Sequence, residues 1–254
     1  MNNEPTPPPL PTPSASQSTI SAAAAHKWTF QPIEGRINFA AVIENLLRSP
    51  GRILHEAAGG SLRTLLMLLV VAVFCLGVFG LLLGAFSGGA QLWAAPAKVV
   101  IGSCAAIFIC LPSLYIFSAL AGLEASLRLI LALAVAAMAL TAVLLMGFAP
   151  VLWVFNQSTE SLPFMGFLAL AFWIISLAFG MRMLHSASAA LKARSARYLT
   201  IWILMFMMVT LQMSTSLRPI IGKAETVLPS QKKFFVTHWL DELNAAAKSN
   251  PAAK

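Results

Sequence analysis

The sequence predicts an all-α fold, a polytopic transmembrane helical bundle of about five spans with amphipathic flanking helices. Three observations support this prediction. Of the 254 residues, 58% are hydrophobic and only 10% are charged, whereas roughly a quarter of the residues in soluble domains are charged. The mean hydropathy is +0.79. Long uncharged apolar stretches alternate with short segments that hold most Lys and Arg residues, and about 20 apolar residues suffice to span a bilayer.

The N-terminal region, residues 1–32, is predicted to be a disordered Pro-rich tail. A cluster of prolines between positions 5 and 13 is followed by Ser, Thr, Gln and Ala, which offer too little apolar surface to offset the entropy of ordering. The alternative interpretation is a polyproline ligand for an aromatic groove. Because the apolar stretches come late in the sequence, we expect no cleaved signal peptide.

Residues 33–63 are predicted to form a cytoplasmic amphipathic segment. Apolar residues recur at helical spacing between Ile37 and His55, with Glu44 and Arg48 as an i,i+4 pair on the other side. Pro50 and Gly51 are expected to break this helix. A basic amphipathic segment just before a span typically lies on the anionic membrane surface, so we expect an interfacial helix.

Residues 64–222 are predicted to form the transmembrane bundle. At 1.5 Å per residue, each apolar stretch can cross a hydrocarbon layer of about 30 Å. We expect a kink at Pro112, and tilt or a break at Pro150. Trp93, in the loop predicted before the second span, is expected to be an interfacial anchor. The predicted spans cover about 64–86, 99–121, 127–155, 164–181 and 198–217.

The positive-inside rule predicts the orientation. The most basic loop, residues 182–197, is expected in the cytoplasm, and counting spans from a cytoplasmic N-terminus also places Arg128 inside and Glu160 outside. The same count places residues 223–254 outside, where their lysines fit poorly. Within this amphipathic C-terminal segment, residues 230–248 are predicted to form a helix that either lies on the membrane surface or packs on the bundle.

The predicted spans contain no ionisable residue, which would be the usual marker of a transport or proton path. Neither nucleotide-binding nor hydrolase motifs are present, and the four histidines lack metal-ligand spacing. The cysteines lie in apolar stretches, where they behave as small hydrophobes. We therefore predict no catalytic residue, no cofactor and no metal. Nucleic acid is not an expected partner, because the basic residues flank apolar stretches.

One polar cluster stands out at the end of the fifth predicted span. Its amide and hydroxyls could bond across helices, while Arg218 could hold a lipid phosphate or cap carbonyl groups. The plainer interpretation is that polar residues emerge there at the membrane surface. The candidate functional residues are Gln212, Ser214, Ser216, Arg218 and Pro219.

Small residues define a second feature. Gly77, Gly80 and Gly84 lie along the first predicted span, and the spacing of Gly80 and Gly84 is that of a close helix contact. The contact could be made within the bundle or with a partner subunit.

Two sets of residues carry a resemblance. The order of parts, with Asn45-Leu46-Leu47-Arg48-Ser49-Pro50 before five spans, resembles bacterial Yip1-like membrane proteins. The stretch from Leu211 to Gly222, followed by Phe234, Phe235 and Trp239, is similar to an uncharacterised bacterial inner-membrane family with a Q-M-S-W-x-L-R-P-x-x-G pattern; Thr215 stands in place of the tryptophan. The resemblance implies a fold and a location in the bacterial inner membrane, and it implies no activity.

Three functions stay open at this stage. The leading expectation is a non-enzymatic accessory, scaffold or assembly subunit, whose partners are the lipid bilayer and a membrane protein or a second copy of the chain. The alternative is a passive carrier or channel-like protein for a small uncharged or apolar solute. An enzyme that acts on lipid through His185 or Arg218 is the third. The residues expected to line a carrier path are Ser103, Ser113, Tyr115, Thr141 and Ser176.

Overall fold

The computed structural model of the protein describes residues 28–33 and 37–216. Every regular element in this part of the chain is an α-helix, which confirms the all-α prediction. The predicted tail up to residue 27 and the predicted helix at 230–248 lie outside the described residues. The helices are, in chain order, α1 (Phe39–Arg48), α2 (Pro50–Ala58), α3 (Leu62–Ser87), α4 (Gln91–Leu120), α5 (Leu127–Ser158), α6 (Leu162–Ala190) and α7 (Ala196–Ser216).

Four helices, α3 to α6, are long and apolar enough to cross a membrane. They contain 26, 30, 32 and 29 residues, more than the roughly 20 that a crossing requires. The helix α7 has 21 residues, about 31 Å in length, and its apolar part, Arg197–Met213, is shorter than those of the other four. The protein is therefore a multi-pass membrane protein, and an arrangement of about five spans fits the helices.

The second membrane helix begins earlier than the sequence indicates. Its predicted start was residue 99, but α4 begins at Gln91, after a turn of only three residues. Gly88 and Gly89 have φ values of 69° and 56°, a left-handed conformation that glycine adopts without steric cost. These glycines allow the tight turn that connects α3 to the antiparallel α4. Trp93 consequently lies in the first turn of α4 and not in a loop, with 75% of its surface exposed.

Two other helices are also longer than expected. The predicted fourth span ended at 181, but α6 continues to Ala190, so Arg182 is an exposed helical residue and not the start of a loop. The α6–α7 turn is correspondingly short, and Lys192 has a φ of 61° within it. α5 runs without a break through Pro150 to Ser158.

α5 is the centre of the bundle. Of its most apolar stretch, 67% is buried, compared with 22% for α4. Its buried face is rich in alanine, and small side chains allow neighbouring helices to approach closely. Gly180 of α6 lies directly against the Thr141 side chain and the Ala137 carbonyl of α5. The rings of Phe148 and Phe172 stack between the same two helices, 4.5 Å apart.

The glycines of α3 make a similar contact with α4. A Cβ atom built on Gly80 would lie 2.6 Å from the Cα of Pro96, and one built on Gly84 would lie 2.9 Å from the Cα of Leu92. The small-residue face predicted from the sequence is therefore covered by α4 of the same chain. Gly77 is different, because no atom of the described residues outside its own stretch of α3 lies within 4 Å of its Cβ position.

α1 and α2 cap one end of the bundle by packing on α3 and α5. The segment forms two helices and not a single one, and the main apolar stripe of α1 is covered by protein. The break falls at Ser49, and Pro50 begins α2, as is common for proline in a first helical turn. Four apolar side chains of the cap are buried: Val42, Leu46, Ile53 and Leu54.

Residues 28–33 lie against α2, so the predicted tail extends too far along the chain. A Cβ built on Gly51 would lie 2.9 Å from the Thr29 carbonyl oxygen. The backbone N–H of Ile33 donates a hydrogen bond of 3.2 Å to Glu56 Oε1. Trp28 and Ile33 also pack on the core. Composition averaged over residues 1–32 is dominated by proline and polar residues, so it does not indicate that Trp28 and its neighbours pack on the core.

The two ends of the bundle differ in charge. The α2–α3, α4–α5 and α6–α7 turns share one end, where the Arg194 N–H donates to the Ala121 carbonyl at 2.8 Å and Arg128 lies beside Gly60. We call this the basic end. The α5–α6 turn, with Glu160, is at the opposite end. The described charged residues of the basic end are Arg48, Arg52, Arg63, Arg128, Lys192, Arg194 and Arg197, with Glu44, Glu56 and Glu124.

Candidate functional site between α4 and α7

A narrow cavity of about 40 Å³ lies in the middle of the bundle. All five long helices contribute to its wall, which is mostly apolar. Ligand pockets typically measure about 300–1,000 Å³, so this cavity has room for a few water molecules at most. The hydroxyl-bearing residues in its wall are Ser103, Thr141 and Thr210.

These three hydroxyls donate hydrogen bonds within their own helices. Ser103 Oγ donates to the Val99 carbonyl at 2.8 Å, and Thr141 Oγ1 donates to the Ala137 carbonyl at 2.9 Å. Thr210 Oγ1 donates to the carbonyl of the residue four positions earlier at 2.8 Å. The cavity wall therefore offers hydroxyl lone pairs but no hydroxyl hydrogen, which suits an apolar interior better than a polar solute.

A tryptophan in the wall of this cavity joins α7 to α4. Trp202 Nε1–H donates to Ser113 Oγ at 2.9 Å, and Ser113 Oγ donates to the Cys110 carbonyl at 2.8 Å. The Trp202 ring also stacks on Phe206, with the ring centroids 5.1 Å apart. Pro112 has no backbone N–H and therefore interrupts the i→i−4 hydrogen bonds of α4. The contact between Ser113 and Trp202 lies next to this interruption.

The same hydrogen bond fixes the register of two antiparallel helices. Ser103 precedes Ser113 on α4 and Thr210 follows Trp202 on α7, and both residues line the cavity. This is the arrangement expected of antiparallel helices that are joined at Ser113 and Trp202. Lys98 precedes Ser113 by 15 residues, and Ser216 follows Trp202 by 14. At 1.5 Å per residue, both are about 22 Å from the hydrogen bond. Lys98 and the last turn of α7 are thus at the same level of the bundle.

Lys98 corrects the expectation of uncharged spans. Its residue surface is only 6% exposed, and it lies about 11 Å along the axis from the midpoint of α4. Lys98 takes part in an interaction within the described part of the chain. The signal that could have revealed it is the buried stripe at Gln91, Ala95, Lys98 and Gly102, whose helical spacing continues the second span towards its N-terminus.

The predicted polar cluster is only partly covered by the structure. Gln212 is half-buried near the end of α7 and has an interaction partner. Ser214 and Ser216 belong to α7, but their side chains are outside the described part, as are Arg218 and Pro219 entirely. Lys98 is buried at the level of the last turn of α7, a position that the sequence did not indicate.

The residues expected to line a carrier path do not converge. Ser103 and Thr141 reach the cavity, while Ser113 is engaged by Trp202. Tyr115 is 43% exposed on the outside, and Ser176 is buried with a hydroxyl that has no hydrogen-bond partner among the described residues.

The reactive residue types are dispersed in the described part of the chain. His55 is exposed and His185 is half-buried. Cys75, Cys104 and Cys110 are free thiols. No group of three His, Cys, Asp or Glu residues within residues 28–33 and 37–216 is placed to hold a metal ion.

Replacing Lys98 with methionine should lower the free energy of unfolding by about 1–3 kcal/mol, because a buried ammonium group requires a polar partner to offset its desolvation, and methionine would leave that partner unsatisfied. The measurement is thermal unfolding in detergent. Arg197→Met, at an exposed position, is the matched control and should stay within about 0.5 kcal/mol. A Lys98→Met protein as stable as the wild type would show that the buried charge contributes nothing.

Comparison of the chain with protein-family models, curated proteins and solved structures finds no match.

Proposed function

We propose that the protein is a non-enzymatic accessory, scaffold or assembly subunit of a membrane complex. The observation that carries the proposal is an apolar face on α4, the least buried of the four long helices. We call it the α4 outer face. At 100° per residue, its members lie on one side of the helix. They are Ile101, Phe108, Ile109, Ile116 and Leu120, each more than half exposed.

The size and chemistry of the interior favour this function over transport. A cavity of about 40 Å³ is several times smaller than a typical ligand site. Its walls are held by close glycine and alanine contacts between α3, α4, α5 and α6. Passive carriage of a small apolar solute is the second candidate, supported by the position of this cavity at the middle of the bundle.

We further propose that the protein lies in a bacterial inner membrane with its N-terminus in the cytoplasm. The support is the charge asymmetry, because Lys and Arg are concentrated at the end that carries α1 and α2 and basic turns favour the cytoplasmic side. The similarity to Yip1-like and bacterial inner-membrane families adds to this proposal for the membrane and the fold, but not for an activity.

The test is purification from the native membrane in a mild detergent, with the mass and composition of the complex measured. We expect either a stoichiometric membrane-protein partner or a homo-oligomer. Phe108→Ala combined with Ile109→Ala should dissociate it, because both side chains lie on the α4 outer face, at 78% and 59% exposure.

The matched control changes two exposed apolar residues of another helix. Leu204→Ala combined with Met205→Ala, at 63% and 48% exposure on α7, should leave the complex intact. Recovery of the wild-type chain as a monomer would contradict the proposal and direct attention to solute flux in proteoliposomes. Equal dissociation by both pairs of substitutions would show that the α4 outer face is not the binding surface.

A further inference from the structure

The cap helix α1 has an apolar strip that the described residues of the bundle cover only in part. Phe39 and Leu47 are 50% and 45% exposed, and Ile43 between them is half-buried. Their spacing of four residues aligns the three side chains along one side of the helix. We call them the α1 strip. Apolar side chains this large are costly to leave in water.

The position of the strip around the helix is informative. At 100° per residue, the buried pair Val42 and Leu46 faces the bundle, and the α1 strip follows as the next sector. The following sector is charged, with Glu44 and Arg48 in an exposed ion pair of 3.2 Å. An apolar sector between a protein contact and a water-facing sector is the arrangement expected of a helix that lies beside the bundle at a membrane surface.

The α1 strip also continues a lipid-facing surface. α1 packs on α3, and α3 begins close behind the cap at Leu62. The first turns of α3 expose Leu62 and Leu66 at 65% and 50%, as a helix that enters the bilayer would. A helix packed beside this entry point is at the level of the headgroups, where its outer side meets lipid.

The charge at the basic end, which carries α1, indicates the kind of lipid. Arg63 and Arg128 are exposed in the first turns of α3 and α5, and Arg128 lies beside the α2–α3 turn at Gly60. Seven Lys and Arg residues and three Glu residues are described at the basic end. Basic residues at this depth bind the phosphate groups of an anionic leaflet.

We infer that α1 is a lipid-binding element, which inserts Phe39, Ile43 and Leu47 into an anionic leaflet while Arg63 and Arg128 bind its phosphate headgroups. The bundle contact on one side and the leaflet on the other then hold the cap in place. This inference stands whether or not the α4 outer face binds a partner protein.

The test uses the full chain in lipid nanodiscs, with Cys75, Cys104 and Cys110 replaced by alanine. Leu47→Cys is labelled with an environment-sensitive fluorophore, and Glu44→Cys on the same helix is the matched control. The probe at position 47 should be quenched by nitroxide-labelled lipid and shielded from aqueous iodide, and the probe at position 44 should behave oppositely. Lipid quenching at position 47 should be at least two-fold stronger in phosphatidylcholine with one third phosphatidylglycerol than in phosphatidylcholine alone.

Removing the proposed phosphate contacts gives the second arm. Arg63→Ser combined with Arg128→Ser should abolish the effect of phosphatidylglycerol, while Arg48→Ser, in the water-facing sector, should retain it. Iodide quenching at position 47 would overturn the inference by showing a water-exposed strip. Protection from both quenchers would overturn it by showing that protein covers the strip. Equal lipid quenching in both lipid compositions would overturn the assignment to anionic lipid.

Discussion

Replacing Gly80 with leucine should lower the midpoint of thermal unfolding by about 10 °C, corresponding to roughly 3 kcal/mol for a protein of this size. The Cβ alone would lie 2.6 Å from the Cα of Pro96, and the atom it meets is backbone, which a rotamer change cannot move. The helices α3 and α4 must separate to accept the side chain, and packing between membrane helices depends on such close approach. Unfolding can be followed by the fluorescence of the six tryptophans.

The chain offers a matched control on the same helix. Gly77→Leu adds the same side chain where, in the part of the chain that the structure describes, no other helix has an atom within 4 Å of the Cβ position. It should leave the midpoint within about 2 °C of the wild type. If both substitutions lower the midpoint equally, the loss of stability comes from the added side-chain volume at either position. The structure would then be wrong in placing α4 closely against Gly80.

Replacing Trp202 with alanine should cost about 3–5 kcal/mol. The side chain is buried, with 4% of the residue surface exposed, it stacks on Phe206, and it lies beside a cavity that its loss would enlarge. Since α7 makes fewer contacts with α6 than with α4, this tryptophan should be its main attachment. We expect a lower unfolding midpoint and greater protease sensitivity in the α6–α7 turn.

Two smaller substitutions separate the ring from its hydrogen bond. Trp202→Phe keeps an aromatic ring but removes the donor, and Ser113→Ala removes the acceptor. Each should cost about 0.6–2 kcal/mol, the usual range for a hydrogen bond between membrane helices. A loss from Trp202→Phe as large as that from Trp202→Ala would mean that the hydrogen bond dominates and that packing contributes little.

Composition and hydropathy were sufficient to predict the all-helical, multi-pass architecture, because the bilayer imposes a length and an apolar character on each membrane helix. The ends of the helices were harder to predict. Gly88 and Gly89 permit a turn of three residues, so residues 91–98, which include Pro96 and Lys98, fold as helix. Arg182 looked like the start of a loop, yet α6 continues past it.

The candidate site was predictable only in part, for a related reason. Hydropathy averages over a window, so Lys98 was assigned to a loop although the helical stripe through Ala95 and Gly102 makes it an interior residue. Periodicity likewise identified α1 as amphipathic, but it could not distinguish a stripe that packs on protein from a strip that faces lipid. That distinction depends on how α1 packs against the ends of α3 and α5, which only the tertiary structure shows.

We propose that the protein acts by binding a membrane partner through the α4 outer face. The most direct measurement is photo-crosslinking in the native membrane from a reactive amino acid at Phe108, compared with one at Leu204 on α7. We predict one discrete protein adduct, a partner or a second copy of the chain, from position 108 and none from position 204. Adducts to lipid alone at both positions would contradict the proposed function.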